Sequence, residues 1–385
     1  MSPEQDVDER TLPPDSAEAR QYARLQRRTT VADAALGFAV LLLLVLSGWT
    51  ISLRDLALKL GRGHYAWSLL FYIFVLILIT KLAGLPLEFY SFRMEHRFHL
   101  SNQSLGAWLF DELKGWLLGL VLGILLGEMV YWLIRTQGDI WWIFAWAAFT
   151  LLAIFFAQIA PVVLLPIFYK FIPLENEELK SRLVRLSERA GTRVRGVYEW
   201  KLSEKSKKAN AALTGLGNTR RIILADTLLE NYSDDEIEAV LAHELGHHVH
   251  KHIFGSIVVQ ALISLLGFWL VARALDWAPR FWPNLGGPHD FANLPLLLLV
   301  VSALSLLLVP AVNAYSRRNE RQADLYCWQS IAAIGPFITA MRKLAAQNLA
   351  ETEPSRWVEV LFHSHPAISK RIAAAERYGK QVPST

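Results

Sequence analysis

The sequence predicts a mainly α-helical, polytopic membrane protein with a small α+β domain set between its fourth and fifth spans. Three observations carry this reading. Of 385 residues, 53% are hydrophobic, and mean hydropathy is +0.27, too apolar for an ordinary soluble domain of this length. The apolar residues gather in blocks close to the roughly 20 residues that cross a bilayer core. Between two of those blocks lies a polar stretch with helix and strand signals of its own.

The blocks place six spans at about 34–53, 66–90, 115–134, 140–167, 253–272 and 294–312. The fourth is long and carries Pro161 and Pro166, so a bend is expected there. The organisation that follows is a tail at 1–30, a four-span region at 31–168, the polar domain at 169–252, a two-span region at 253–312 and a C-terminal segment at 313–385. The tail is polar through about Thr30 and shows no cleavable signal pattern.

Lys and Arg set the orientation. Arg10, Arg20, Arg24, Arg27 and Arg28 precede the first span, Arg93, Arg97 and Lys114 follow the second, and the polar domain and C-terminal segment are rich in both types. With six spans all of these lie on one side, expected to be the cytoplasm. The opposite loops hold fewer: Arg54, Lys59, Arg62, Arg135, Arg273 and Arg280. Net charge is only +4, so the basic pI gives no reason to expect a nucleic-acid partner; membrane lipid is the expected one. The single cysteine, Cys327, excludes an internal disulfide framework and a cysteine-based zinc site.

Within the polar domain, Glu175 to Ala190 has helical spacing with Leu179, Leu183 and Leu186 on one face, and Gly191 is a stop. Val194 to Trp200 reads as a strand. Asn210 to Thr214 and Arg221 to Ala225 read as a hairpin around a Gly215-Leu216-Gly217-Asn218 turn.

The strongest chemical signal is His243-Glu244-Leu245-Gly246-His247. Ser233 can cap a helix starting at Asp234, with Glu236 completing a capping box. His243 and His247 then share one face and can both reach one zinc ion at about 2.0–2.1 Å. Glu244, beside them, can hold a zinc-bound water and take its proton. His248, His250 and His252 read as surface or interface residues. A chance HExxH is not rare, so a second motif matters. It is Asn313-Ala314-Tyr315-Ser316-Arg317-Arg318-Asn319-Glu320-Arg321-Gln322-Ala323-Asp324. A catalytic zinc takes three protein ligands and one open position. Glu320, just past the sixth span, can supply the third ligand on the membrane face of His243. Asp324, one turn on, can accept the free ring N–H of a liganding histidine. The plain alternative is that Glu320 and Asp324 pair with Arg317, Arg318 and Arg321 on a juxtamembrane helix.

Two weaker elements remain. His363-Ser364-His365-Pro366, followed by Arg371, fits a helix-entry turn, or, beside zinc, a histidine that stabilises an oxyanion. The strand at Asn210-Ala211-Ala212 is an ordinary strand, or an edge that binds an extended substrate by backbone pairing.

Taken together the sequence resembles the integral-membrane zinc CAAX prenyl proteases of type I. The resemblance extends from Leu105-Gly106 through Ile159-Ala160-Pro161, Tyr169-Lys170-Phe171, Asn210-Ala211, Arg221-Ile222 and Asp226-Thr227-Leu228-Leu229. It continues through Leu241 to His247, Ser316-Arg317-Arg318 with Glu320 and Ala323-Asp324, and His363-Ser364-His365-Pro366 with Arg371, in the family's order. It implies His243, His247 and Glu320 as ligands of one zinc per chain and Glu244 as catalytic base. It implies a supporting role for Asp324, and substrate or transition-state contacts for Asn210, His365 and Arg371. It also implies a helical barrel enclosing a chamber, and a peptide or protein substrate that is hydrophobic, membrane-associated or prenylated. The family has seven spans by the usual count, where six are clear here. Asn231 to Glu236 lacks the long insertion that eukaryotic members often carry, which points to a bacterial inner-membrane member with its site facing the cytoplasm.

Two other readings compete. One is a quality-control metalloprotease of the bacterial heat-shock type, although four spans precede the zinc helix here. The other is a polytopic metal transporter, which would need ligands within its spans. Lys81, Glu128 and Gln158 do not form an evident set.

Overall fold

A computed structural model describes residues 16–215 and 220–381. The turn expected over 215–218 therefore lies largely outside the described residues. Fourteen helices and one small sheet are seen among the described residues. The membrane region contains α1 (Ala17–Leu46), α2 (Trp49–Leu60), α3 (Tyr65–Arg97), α4 (Leu105–Thr136), α5 (Trp141–Ile159) and α6 (Leu165–Phe168). The polar domain adds α7 (Glu177–Arg189), α8 (Asp226–Asn231) and α9 (Asp234–Val249). The remainder is α10 (His252–Phe281), α11 (Leu294–Ser330), α12 (Gly335–Gln347), α13 (Arg356–Phe362) and α14 (Ile368–Gln381).

Six helical segments are long and apolar enough to cross a membrane: Ala17–Leu46, Tyr65–Arg97, Leu105–Thr136, Gly138–Phe168, His252–Phe281 and Phe291–Ser330. Several boundaries differ from the sequence expectation: the second and fifth of these helices end at Arg97 and Phe281 rather than at 90 and 272, and the third starts at Leu105 rather than at 115. The first span was expected to run to residue 53, but α1 stops at Leu46 because Gly48 adopts φ +75° and α2 starts afresh. At 12 residues, α2 is about 18 Å long and too short to span. Residues 17–30 are helical and form the first turns of α1. The sixth span and the helix carrying Glu320 are one 37-residue helix, α11, so the boundary expected at 313 marks a change of surroundings within continuous backbone. The expected bend in the fourth segment is present: α5 ends at Ile159, a π turn covers Ala160–Leu164, and α6 resumes at Leu165. Pro161 has no N–H to continue the regular ladder.

Two cores result. The membrane core joins α1, α3, α4, α5, α10 and α11 around Leu69, Tyr72, Tyr131, Trp141, Leu275 and Phe291. At its outer end Thr50 bonds both Tyr72 and the carbonyl of Ala292, tying α2 to the turn before α11. The second core lies beneath the sheet and is built on Leu179, Leu183, Leu186, Ile222, Leu224 and Ile237.

The sheet contains β1 (Phe171–Pro173), β2 (Val197–Trp200), β3 (Ala211–Thr214) and β4 (Arg221–Ala225) in the order β1-β2-β4-β3. β2 and β4 are parallel; the other pairs are antiparallel. The expected hairpin is the β3–β4 pair, with Ala211 opposite Leu224 and Thr214 opposite Arg221. β3 is therefore an edge strand, and it packs beside α9.

Candidate active site

α9 begins as its sequence dictates. Ser233 accepts from the Glu236 N–H while the Glu236 carboxylate accepts from the Ser233 N–H, closing the capping box. The helix then packs along α11 at very close range. A Cβ on Gly246 would stand 2.8 Å from the Ala323 Cα and 3.0 Å from its carbonyl oxygen. Only glycine lets the two backbones meet there. Cys327 adds a bond from its thiol to the Ala239 carbonyl, 3.2 Å away.

That approach brings three side chains together. Nε2 of His243 lies 3.3 Å from Nε2 of His247 and 3.3 Å from Oε2 of Glu320, and Nε2 of His247 lies 3.4 Å from Oε1 of Glu320. One ligand atom from each lies within 4.8 Å of the others, the spacing needed to hold one metal ion. Oε2 of Glu320 is buried yet makes no hydrogen bond. A buried carboxylate oxygen facing the His243 imidazole without a bond of its own is costly and fits a bound cation. Two neutral imidazoles and one carboxylate are a zinc-type donor set.

Each imidazole is held from behind. Nδ1 of His243 lies 2.9 Å from Oδ1 of Asp324, the relationship anticipated for Asp324. Arg371 grips the same carboxylate with two bonds of 2.6 and 2.9 Å. Its guanidinium borders the larger cavity described below, but both of those bonds go to Asp324. Burial alone would lower the His243 imidazole, but the carboxylates of Asp324 and Glu320 facing its two ring nitrogens outweigh it and push it up to about 9. Nδ1 of His247 meets Nδ1 of His252 at 3.1 Å, and Nε2 of His252 meets Oε1 of Gln322 at 3.0 Å. His252, expected at a surface or interface, is instead buried behind the site.

Glu244 stands at the junction of two cavities, of about 620 and 830 Å³, which it borders together with His243 and His365. Burial raises its carboxyl above the usual carboxylate range, against the lowering influence of His243 and His247. Nε2 of His365 is 3.2 Å from Oε1 of Glu320, and its Nδ1 is 3.0 Å from the Ser364 hydroxyl. Arg317 fixes this segment by donating to the carbonyls of Glu359 and His363. Glu320 and Asp324 are thus engaged with histidines and Arg371, and Arg317 is used elsewhere. Asn210, just before the edge strand β3, borders the larger cavity, and Leu213 of β3 borders the smaller one. Within the membrane, Lys81 bonds Glu88 and Glu112, both at 2.6 Å.

Residues 173–378 match the model of Peptidase family M48, and residues 5–170 match that of the CAAX prenyl protease N-terminal region, five membrane helices. A Bacillus subtilis (strain 168) protein named Uncharacterized metalloprotease YhfN is 32% identical over 368 residues, covering 95% of this chain and 86% of that one. The Probable CAAX prenyl protease 1 of Schizosaccharomyces pombe is 29% identical over 309 residues, 79% of this chain and 65% of that one. The crystal structure of S. mikatae Ste24p has the same fold, with a TM-score of 0.85 at 23% identity over 95% of this chain and 92% of that chain. A family match over residues 173–378 and a relative aligned along nearly the entire chain leave one conclusion: this multi-pass membrane protein is a metalloprotease that belongs to peptidase family M48.

Proposed function

We propose that the protein is a zinc endopeptidase that cuts hydrophobic, membrane-associated peptides, including CAAX-type peptides with a prenyl group, on the cytoplasmic face of a bacterial inner membrane. The observation that carries the reading is the convergence of His243, His247 and Glu320, with the buried Glu320 oxygen left without a hydrogen bond. Zinc held by these three residues would supply Lewis acidity, polarising a carbonyl and acidifying water.

The chain's own residues do the rest. Asp324 accepts the Nδ1–H of His243, which leaves the Nε2 lone pair aimed at Glu320 and His247. Gln322 accepts Nε2–H from His252, so the His252 Nδ1 lone pair accepts the Nδ1–H of His247 and frees the His247 Nε2 lone pair in turn. Arg371 neutralises Asp324 and fixes its carboxylate plane by two bonds. Glu244, with its raised pKa, accepts a proton from the attacking water and delivers it to the departing amine as the peptide C–N bond breaks. The Ser364 hydroxyl donates to Nδ1 of His365, leaving Nε2–H to donate to the oxyanion of the tetrahedral intermediate.

The substrate pairs with the free edge of β3, running from the cavity at Leu213 past Glu244 to the cavity at Asn210. An apolar substrate chain is supported by a further cavity of about 410 Å³ inside the membrane region, lined by residues such as Ile77, Leu126 and Leu298. It adjoins the site through Phe149, Gln260 and Ser264, which border both spaces.

The test is digestion of a farnesylated CAAX peptide beside its unprenylated counterpart, read by mass spectrometry. Preferred cleavage of the farnesylated peptide supports the full reading. Equal cleavage keeps the endopeptidase and removes the prenyl preference. No cleavage of either by zinc-loaded protein contradicts it.

A further inference from the structure

The outward face of α1 and the short helix α13 form a feature the peptidase site does not use. α13 is inverted for a water-exposed helix. Its acidic residue, Glu359, is buried, accepting from the Ala367 N–H at 3.2 Å and from Lys370. Its apolar residues face out: Trp357 is 75% exposed, and Leu361 and Phe362 are also exposed. A surface patch of this kind marks a contact with something apolar.

Beside it, Arg24, Arg27 and Arg28 of α1 line a groove of about 420 Å³ with Val31, Ala35 and Phe362. Residues 24, 28, 31 and 35 recur at helical spacing, so they form one stripe. The opposite face of α1 is taken up, with Tyr22 packed among Met94 and Phe98. Arg27 is paired with Glu351 at 2.5 Å. Arg24 and Arg28 are exposed, and among the described residues Arg24 bonds back to the Arg20 carbonyl. At 1.5 Å rise per residue, Arg28 lies only about 9 Å along the helix from Ala34, where the apolar run of the first span begins. The guanidinium groups therefore sit at headgroup depth and the apolar part of the groove at the depth of the first methylenes.

We propose that this groove binds an anionic membrane phospholipid. Arg24 and Arg28 hold its phosphate, and Val31, Ala35 and Phe362 take the first part of an acyl chain. Cationic groups meet an anionic headgroup, apolar groups meet an acyl chain, and Trp357 and Leu361 rest in the interface where aromatic side chains favour the headgroup boundary. α13 leads directly into His363–His365, so the site lies one short segment from the reaction centre, although lipid binding itself is the claim.

The experiment uses the full chain in nanodiscs or by native mass spectrometry, with phosphatidylglycerol and phosphatidylcholine of identical acyl chains as probes. The wild type should retain phosphatidylglycerol in preference by on the order of tenfold, given about one favourable contact per arginine. The Arg24→Gln/Arg28→Gln double variant should lose that preference. Arg185→Gln/Arg189→Gln, the same charge change on α7, should keep it. Phe362→Ala should weaken retention of both lipids while leaving the headgroup preference. Equal retention of the two lipids by wild type, or equal loss in the α7 control, would overturn the proposal. Displacement of the lipid by inorganic phosphate at millimolar concentration would do the same, since the acyl contact would then count for nothing.

Discussion

Nδ1 of His252 lies 3.1 Å from Nδ1 of His247, across the break between α9 and α10. Lys251 at φ +55° makes that break and turns His252 back toward the site. The contact fixes which nitrogen of His247 is free to bind metal. His252→Ala should therefore weaken zinc retention by roughly 10–100-fold, measured by chelator competition. Fully zinc-loaded variant should cleave within a few-fold of wild type. Unchanged zinc affinity would remove His252 from this role.

Asp324→Ala should also weaken zinc retention by roughly 10–100-fold, because His243 loses the acceptor of its Nδ1–H. It also strands the Arg371 guanidinium, so Asp324→Asn, which keeps one acceptor, should be milder. Zinc titration of the two variants side by side checks the order.

Metal binding should be pH-dependent in a defined direction. His243 is pushed up to about 9 by Asp324 and Glu320, so without metal it carries a proton at neutral pH. Zinc must displace that proton. Affinity should rise with pH up to about 9 and then level off, with proton release on binding at neutral pH. Calorimetry in buffers of different ionisation enthalpy measures the release; zero release at pH 7 would contradict the assignment.

Gly246→Ala places a methyl within 2.8 Å of the Ala323 backbone. Backbone cannot swing aside as a side chain can, so α9 and α11 must separate. The expected cost is about 1–3 kcal/mol, seen as a lower unfolding midpoint together with reduced zinc occupancy, because Glu320 and the histidines lie on the two helices being forced apart.

Much of this was legible in the sequence, and the exceptions have physical reasons. The HExxH helix was readable because capping chemistry and i,i+4 spacing are local. Glu320 and Asp324 were readable because they are one turn apart on one helix. His252 was not, since helical periodicity places a residue five positions after His247 on another face, and a positive-φ residue between them breaks that periodicity. The continuity of α11 was hidden because hydropathy reports side chains and not backbone: at Asn313 apolar residues give way to polar ones within one unbroken helix. The stop at Leu46 was hidden because the left-handed conformation of Gly48 is a backbone property that a hydropathy window does not report. The role of Arg317 as a clamp on His363 depends on a contact 46 residues away in sequence, which no local pattern carries.

The central claim is that Glu244 is the base and not a ligand. Glu244→Gln keeps the shape and the hydrogen-bonding capacity of the side chain but cannot accept a proton. Single-turnover cleavage by wild type and Glu244→Gln, both shown to carry about one zinc per chain, tests this most directly. The account predicts a loss of at least roughly 10²–10⁴ in rate with zinc content and peptide binding unchanged. Cleavage by zinc-loaded Glu244→Gln at close to the wild-type rate would contradict it.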